Sequence, residues 1–96
     1  MRKKTVFITG GAKRIGASMV NYFHEQNYKV IFHYNHSKKE AEKLSLELNV
    51  KEAGSCYAIQ ADFASKESID STVAEFYKVS KEIDVLINNA SSFYPT

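Results

Sequence analysis

The chain has 96 residues, 44% of them hydrophobic and 25% charged, a composition typical of a small globular protein with a single core. Its formal net charge of +2 is too small by itself to indicate a nucleic-acid partner. The single cysteine, Cys56, excludes an internal disulfide, and no cysteine and histidine pairs occur at zinc spacing. The first apolar run, residues 5–9, is too short for a signal peptide or a membrane span. We therefore expect a cytoplasmic protein with no bound metal, no nucleic-acid partner and no membrane association.

Short apolar runs alternate along the chain with segments of helical periodicity. Strands are predicted at residues 5–9, 30–34, 56–60 and 85–87. The first helix has a predicted buried face of Ile15, Met19, Tyr22 and Phe23, with a stop at Asn27. The second begins at Ser37 as N-cap and buries Ala41, Leu44 and Leu48. The third is capped by Ser65 and has a predicted stripe of Ile69, Val73, Phe76 and Tyr77.

This alternation predicts the α/β class, because helices of this length suit right-handed crossovers between parallel strands. We expect a Rossmann-type, three-layer, doubly wound sheet with strand order 3-2-1-4, which opens a crevice at the carboxyl ends of the first and fourth strands. A complete sheet of this type has about six strands. Residues 1–96 are therefore predicted to be the amino-terminal part of a single, truncated domain whose fourth strand is an uncovered edge.

A glycine-containing loop links the first strand to the first helix, which is the context of a dinucleotide-binding turn. It reads Thr9-Gly10-Gly11-Ala12-Lys13-Arg14-Ile15-Gly16. Gly10 suits a tight turn, Gly16 would let the helix pack closely on the strand, and the free N–H groups of the first helical turn would face a pyrophosphate. Arg14 stands where the middle glycine often lies, and its cation suits a phosphate or another ligand. The alternative, a plain strand-to-helix turn without nucleotide, is less consistent with the context on both sides.

The end of the second strand distinguishes the two nicotinamide cofactors. An NAD site places Asp or Glu there, whereas this chain has no acid before Glu40. Arg14, Ser37 and Lys38 favour NADP(H), while Lys39 is better explained as part of a solvated helix face. From the loop and this strand end, the expected cofactor-binding residues are Gly10, Lys13, Arg14, Ile15, Gly16, His33, Tyr34, Asn35, His36 and Ser37.

With these marks, and with Asp62 after the third strand and Asn88-Asn89-Ala90 after the fourth, the whole chain resembles the short-chain dehydrogenase/reductases. The resemblance implies that Asp62 bonds the adenine of the cofactor and that Phe63 lies along it. It also implies that Asn89 and Ala90 support the centre of the sheet and the cofactor's ribose.

Within that family the chain is most similar to the pteridine reductases. The stretches that carry this similarity are Gly10-Gly11-Ala12-Lys13-Arg14-Ile15-Gly16, then His33-Tyr34 with Ser37, and finally Asn88-Asn89-Ala90-Ser91-Ser92-Phe93-Tyr94-Pro95-Thr96. The resemblance implies that a pterin stacks between Phe93 and the nicotinamide, with Arg14 and Ser91 reaching its heteroatoms; Ser91 is also expected to contact the cofactor. Without the flanking match, Phe93 would be read as a core aromatic. Asn35 and His36 stand where pteridine reductases commonly carry an arginine, which leaves Arg14, Ser37 and His36 to hold the 2′-phosphate, although His36 also suits a plain surface position.

No residue of this chain is predicted to be catalytic. The family's tyrosine donor and its lysine, four residues later, lie beyond the Asn-Asn-Ala element. Two pairs with that spacing, Tyr34 with Lys38 and Tyr77 with Lys81, are therefore interpreted as coincidental, the second on an outer helix with Tyr77 towards the sheet.

Three functions remain open. The resemblance implies an NADPH-dependent pteridine reductase acting on dihydropterin or dihydrofolate-type substrates, and a homo-oligomer, a tetramer, when intact. The alternatives are a carbonyl reductase of the same family, of 3-oxoacyl or sugar type, and a noncatalytic nucleotide-binding fragment. We expect the 96-residue chain by itself to be inactive.

Overall fold

A computed structural model describes residues 3–89, in which four strands and three helices alternate. The strands are β1 (Thr5–Thr9), β2 (Lys29–Tyr34), β3 (Cys56–Gln60) and β4 (Val85–Asn88). The helices are α1 (Arg14–Glu25), α2 (Lys38–Lys51) and α3 (Lys66–Val79). All predicted elements are present, with bounds that differ by a residue or so.

The strands form one parallel sheet in the order β3-β2-β1-β4. In its registers, Phe7 lies beside both Ile31 of β2 and Leu86 of β4. The helices cover both faces, because residues of α1 and α2 join one buried cluster and Phe76 of α3 joins the other. The predicted α/β class, three-layer arrangement and strand order are confirmed.

The two central strands form most of the core. Every residue of β1 is buried, and Val30, Ile31 and Phe32 of β2 have no exposed surface. Strands that are covered on both faces are apolar without alternation, as a parallel sheet between helix layers requires. Burial of a side chain such as Phe32 contributes roughly 2–3 kcal/mol relative to exposure. The loops that follow β1 and β2 therefore begin from well-packed strand ends.

The helix boundaries follow local chemistry. Asn27, the predicted stop, has φ of 68°, the left-handed conformation that asparagine tolerates just after a helix. The Ser65 side chain accepts a hydrogen bond from the Ser68 N–H and caps α3 as expected. Ser37 occupies the N-cap position of α2, but its side chain makes no capping hydrogen bond. The predicted N-cap position of α2 is therefore confirmed, but not a capping hydrogen bond from Ser37.

The predicted face of α1 is partly wrong. Met19 and Phe23 pack against the core, but Ile15 and Tyr22 are exposed, and the buried positions are Gly16 and Val20. Because Gly16 permits a close approach, the side of α1 that carries Gly16 and Val20 faces the sheet. Ile15 consequently lies beside the cleft described below. The prediction for α2 is confirmed: Ala41 and Leu48 are buried and Leu44 packs against them.

The predicted face of α3 is also largely wrong. Phe76 is buried against Phe7, with ring centroids 5.4 Å apart, whereas Ile69, Val73 and Tyr77 are exposed. Thr72 takes the second buried position, since its hydroxyl donates to the Ser68 carbonyl and leaves no unpaired polar atom. The apolar arc of α3 is wider than the part of the helix that the described sheet covers. The spacing of apolar residues therefore predicted that Tyr77 faces the sheet, whereas it is exposed.

The two outer strands of the described sheet are β3 and β4. Leu86 of β4 is 63% exposed, so the described helices do not cover its side of the sheet. None of the helices between residues 3 and 89 is both long enough and apolar enough to cross a membrane.

Candidate functional site

A cleft of about 380 Å³ opens where β1, β2 and β4 end. It is lined by the glycine loop, the end of β2 and the residue after β4, namely Gly10, Ala12, Lys13, Arg14, Ile15, His33, Tyr34, Asn35, His36, Ser37 and Asn89. The carboxyl ends of parallel strands around a change in chain direction are the usual ligand site of such sheets. The predicted crevice is therefore present in the described residues.

Glycine is required at two positions of the loop for different reasons. Gly10 has φ of 65°, which L side chains rarely adopt. At Gly16 a Cβ atom would lie 1.9 Å from the Gly10 carbonyl oxygen and 2.8 Å from the Asn89 Nδ2 atom. The first helical turn therefore lies directly on the end of β1, as the loop sequence predicted.

Arg14 has φ of 56°, in the left-handed region, although it is not glycine. For an L residue this conformation costs roughly 1–2 kcal/mol. The backbone thus keeps the shape that suits a glycine, and the side chain is carried at a strained position on the cleft wall. Strain of this kind concentrates at functional sites, where the surrounding structure maintains it.

The loop is tied to the end of β4 by polar side chains. The Thr9 hydroxyl donates to Asn88 Oδ1 at 3.0 Å and accepts from the Asn89 N–H at 2.9 Å. The Asn89 Nδ2 atom donates to the Gly10 carbonyl at 3.1 Å. Asn89 therefore both lines the cleft and fixes the glycine turn, a dual role that agrees with its expected support of the sheet centre.

The His33 imidazole lies at the base of the cleft and is only 4% exposed. Its Nδ1 atom accepts a hydrogen bond from the Gly10 N–H at 3.0 Å, and its Nε2 atom is 2.8 Å from the Ala61 carbonyl. The Phe63 ring stacks on it, with centroids 4.1 Å apart and planes 18° from parallel. Burial lowers the pKa of His33, an effect that the hydrogen bond to the Ala61 carbonyl partly opposes.

Cationic side chains dominate the rim of the cleft. Lys13 and Arg14 are exposed on the loop, and among the described residues that line the cleft there is neither Asp nor Glu. Glu40, in the first turn of α2, is the nearest acid in sequence after β2, and it lies 3.7 Å from the Lys13 Nζ atom. Both side chains are about half exposed, so this ion pair is weak and leaves the rim open to an anion.

Asp62 and Phe63 follow β3, outside the residues that line the cleft. Asp62 Oδ1 accepts from the Ala64 N–H at 3.0 Å, and the Asp62 N–H donates to Ser68 Oγ. Asp62 is exposed, while Phe63 is half-buried against His33. Their expected contacts with adenine stay predictions.

Ten of the predicted cofactor residues line the cleft, and Gly16 lies directly behind it. Ala12 also lines it and was not singled out from the sequence, although its place within the loop was the available signal. Three predicted residues, Ala90, Ser91 and Phe93, lie outside the described part of the chain.

The two tyrosine and lysine pairs that match the family's spacing lie in different parts of the structure. Tyr34 lines the cleft at the end of β2, whereas Tyr77 lies on the outer layer in α3 and is 61% exposed. Within residues 3–89 no group of three or more metal-ligating side chains is positioned to hold a metal ion.

Comparison with known proteins agrees with this geometry. The family model for short chain dehydrogenases matches residues 4–95. Pteridine reductase 1 of Leishmania tarentolae is 37% identical over 93% of this chain. The 3-oxoacyl-[acyl-carrier-protein] reductases FabG of Staphylococcus aureus strain Mu50 and Staphylococcus epidermidis strain RP62A are each 33% identical over 91% of it. The chain spans 37% of the length of the first relative and 35% of the other two. On the family match, the chain belongs to the short chain dehydrogenase family of oxidoreductases.

Proposed function

We propose that the protein is an NADP(H)-dependent reductase and that the described residues bind the cofactor. The observation that carries this proposal is the composition of the cleft. Lys13, Arg14 and Ser37 surround it, while the end of β2 offers neutral side chains where an NAD site would have a carboxylate.

The residues present fit a dinucleotide. The helix α1 begins at the cleft, and its N-cap residue, Lys13, makes no side-chain capping hydrogen bond. Free N–H groups of a first helical turn, at the positive end of the helix dipole, suit a pyrophosphate. The absence of a Cβ atom at Gly16 is what lets this turn lie against β1.

The 2′-phosphate is assigned to the corner between the loop and the start of α2. Arg14 would supply a planar cation with several donors, and Ser37 a hydroxyl that does not cap its own helix. His36 is exposed beside them and lines the same cleft.

The bound dinucleotide would supply or accept a hydride. The described residues would bind and orient it. None is assigned the proton transfer, because Tyr34 lies at the end of β2, in the corner proposed for the 2′-phosphate, and Tyr77 lies on α3, outside the cleft lining. A residue outside this stretch would provide the proton.

For the substrate we propose a pterin or dihydrofolate-type ring. Support comes from the 37% identity to pteridine reductase 1 and from three residues that the resemblance assigns to the ring, Arg14, Ser91 and Phe93. A 3-oxoacyl thioester is the second candidate, because 3-oxoacyl-[acyl-carrier-protein] reductases are 33% identical to the chain. Catalysis by the full-length protein, rather than by residues 1–96, is part of the proposal.

The cofactor assignment is tested by measuring the affinity for NADP⁺ and NAD⁺ by calorimetry. We expect NADP⁺ to bind more tightly and the substitution Asn35→Asp to reverse the order, since it places a carboxylate near the 2′-phosphate. The control Asn21→Asp makes the same charge change on the exposed face of α1 and should leave the ratio unchanged. Equal affinity of the wild type for both nucleotides would refute the assignment.

The substrate assignment is tested by turnover of a dihydropterin and of a 3-oxoacyl thioester by the full-length protein with NADPH. We expect the dihydropterin to be reduced, and Phe93→Ala to weaken its binding much more than that of NADPH. Turnover of the thioester alone would favour the second candidate. Tight NADPH binding without turnover of either compound would favour a noncatalytic nucleotide-binding protein.

A further inference from the structure

One buried side chain joins the ends of three neighbouring strands. His33 belongs to β2, its Nδ1 atom accepts from Gly10 at the end of β1, and its Nε2 atom contacts Ala61 at the end of β3. The His33 backbone carbonyl also accepts from the Gly11 N–H at 2.9 Å. Two successive amides of the glycine loop are thus held by the same residue.

These partners define the state of the ring. The Gly10 N–H can only donate and the Ala61 carbonyl can only accept, so Nδ1 must be unprotonated and Nε2 must carry the hydrogen. This is a neutral imidazole, the form that burial favours. Phe63 covers one face of the ring and fixes its plane.

A buried histidine often has no role beyond satisfying its own nitrogens within a core. Here the two bonds serve different segments: Nε2–H ties one strand end to another, whereas Nδ1 fixes the peptide from which the loop departs. The next residues of that loop, Ala12 to Ile15, line the cleft. A change in the orientation of the Gly10 peptide plane would therefore move all of these residues.

We propose that His33 is a positioning residue for the glycine loop and that its Nδ1 atom, through the Gly10 N–H, sets the affinity of the cleft for the dinucleotide. The inference rests on the proposed cofactor function and deepens it, because it assigns His33 an indirect role in place of a contact with the cofactor through a ring nitrogen. The titratable groups on the surrounding elements are Lys13 and Arg14 on the loop, His36 beyond β2 and Asp62 beyond β3.

Two substitutions separate the two hydrogen bonds. Asn at position 33 can offer its Oδ1 atom near the place of Nδ1 but is too short to reach Ala61, whereas Phe keeps the stacking on Phe63 and offers no acceptor. Both variants lose the bond to Ala61, so both should unfold at a lower temperature. Asn also loses the stacking on Phe63 that Phe keeps, so tighter binding by His33→Asn than by His33→Phe can only come from the acceptor for the Gly10 N–H.

We expect His33→Asn to bind NADP⁺ within about threefold of the wild type and His33→Phe to bind it about tenfold more weakly, as an unmade buried hydrogen bond predicts. The control is His24→Phe, which removes a histidine bonded to Ser55 far from the cleft and should lower stability without changing affinity. Equal weakening by Asn and Phe at position 33 would overturn the proposal.

A measurement without nucleotide keeps this test separate from the cofactor assignment. Imidazole ¹⁵N shifts should show His33 protonated at Nε2 only, and amide exchange at Gly10 should accelerate in His33→Phe but not in His33→Asn. A ring protonated at Nδ1, or unchanged Gly10 exchange in His33→Phe, would overturn the role of His33. If these results hold but the wild type binds neither NADP⁺ nor NAD⁺, the cofactor assignment fails while the hydrogen-bond assignment stands.

Discussion

The substitution Gly16→Ala tests the closest contact in the site. Gly16 lies in the first turn of α1, and helix propensity by itself predicts that alanine would stabilise the protein by about 1 kcal/mol. The structure predicts the opposite, because the new Cβ atom would lie 1.9 Å from the Gly10 carbonyl oxygen, less than any real contact allows.

The magnitude follows from what must move. The closest contact of the methyl group is with backbone, the Gly10 carbonyl, so relief requires that α1 shift away from β1. Overpacking of this kind costs about 1–3 kcal/mol. The methyl group would also lie 2.8 Å from Asn89 Nδ2 and displace that side chain, whose hydrogen bond to Gly10 is worth about 1 kcal/mol. Against the gain in propensity, we expect a net loss of about 2 kcal/mol, or a fall of ~10 °C in Tm.

Urea unfolding followed by circular dichroism measures this loss. The matched control is Ser18→Ala, at an exposed position two residues further along the same helix, where only propensity acts and stability should rise slightly. Affinity for NADP⁺ should fall in Gly16→Ala and not in the control. A Gly16→Ala protein at least as stable as the wild type would refute the close packing of this helix on the strand.

Three further predictions concern other residues. Arg14→Gly should be more stable than Arg14→Ala by about 1 kcal/mol in urea unfolding, because only glycine relieves the left-handed backbone; the reverse order would contradict the φ of 56°. Burial lowers the pKa values of His33 and His24, so the folded state binds fewer protons than the unfolded state. The free energy of unfolding should therefore be highest above pH 6.5 and should fall as the pH is lowered through the pKa values of the folded state. His33→Asn should flatten this fall between pH 7 and 5, and an unchanged profile would exclude His33 as its source. Burial raises the pKa of the Cys56 thiol to about 12, so iodoacetamide at pH 8 should label it only after unfolding; rapid labelling of the native protein by mass spectrometry would contradict its burial.

The order and type of the helices and strands could be predicted from the amino-acid sequence. The change in the period of hydrophobic residues between strands and helices is a local signal in the sequence. Right-handed crossovers between parallel strands then allow few strand orders, so the observed order β3-β2-β1-β4 could be expected. The glycine loop could also be located from the sequence. Its conformation requires glycine at position 10, and the close packing of α1 on β1 requires glycine at position 16.

The direction in which the helical side chains face could not be predicted in the same way, because it depends on how the helices pack on the sheet. A helical pattern gives an apolar arc wider than the surface that a sheet covers, so Ile15 and Tyr77 could not be separated from buried neighbours by spacing alone. The hydrogen bonding and tautomer of His33 could not be predicted either. Its two partners lie 23 and 28 positions away in the sequence, and they contact it only because three strands end side by side. Local signals specify what a segment becomes, whereas hydrogen bonds between distant strand ends depend on the register in which the sheet assembles.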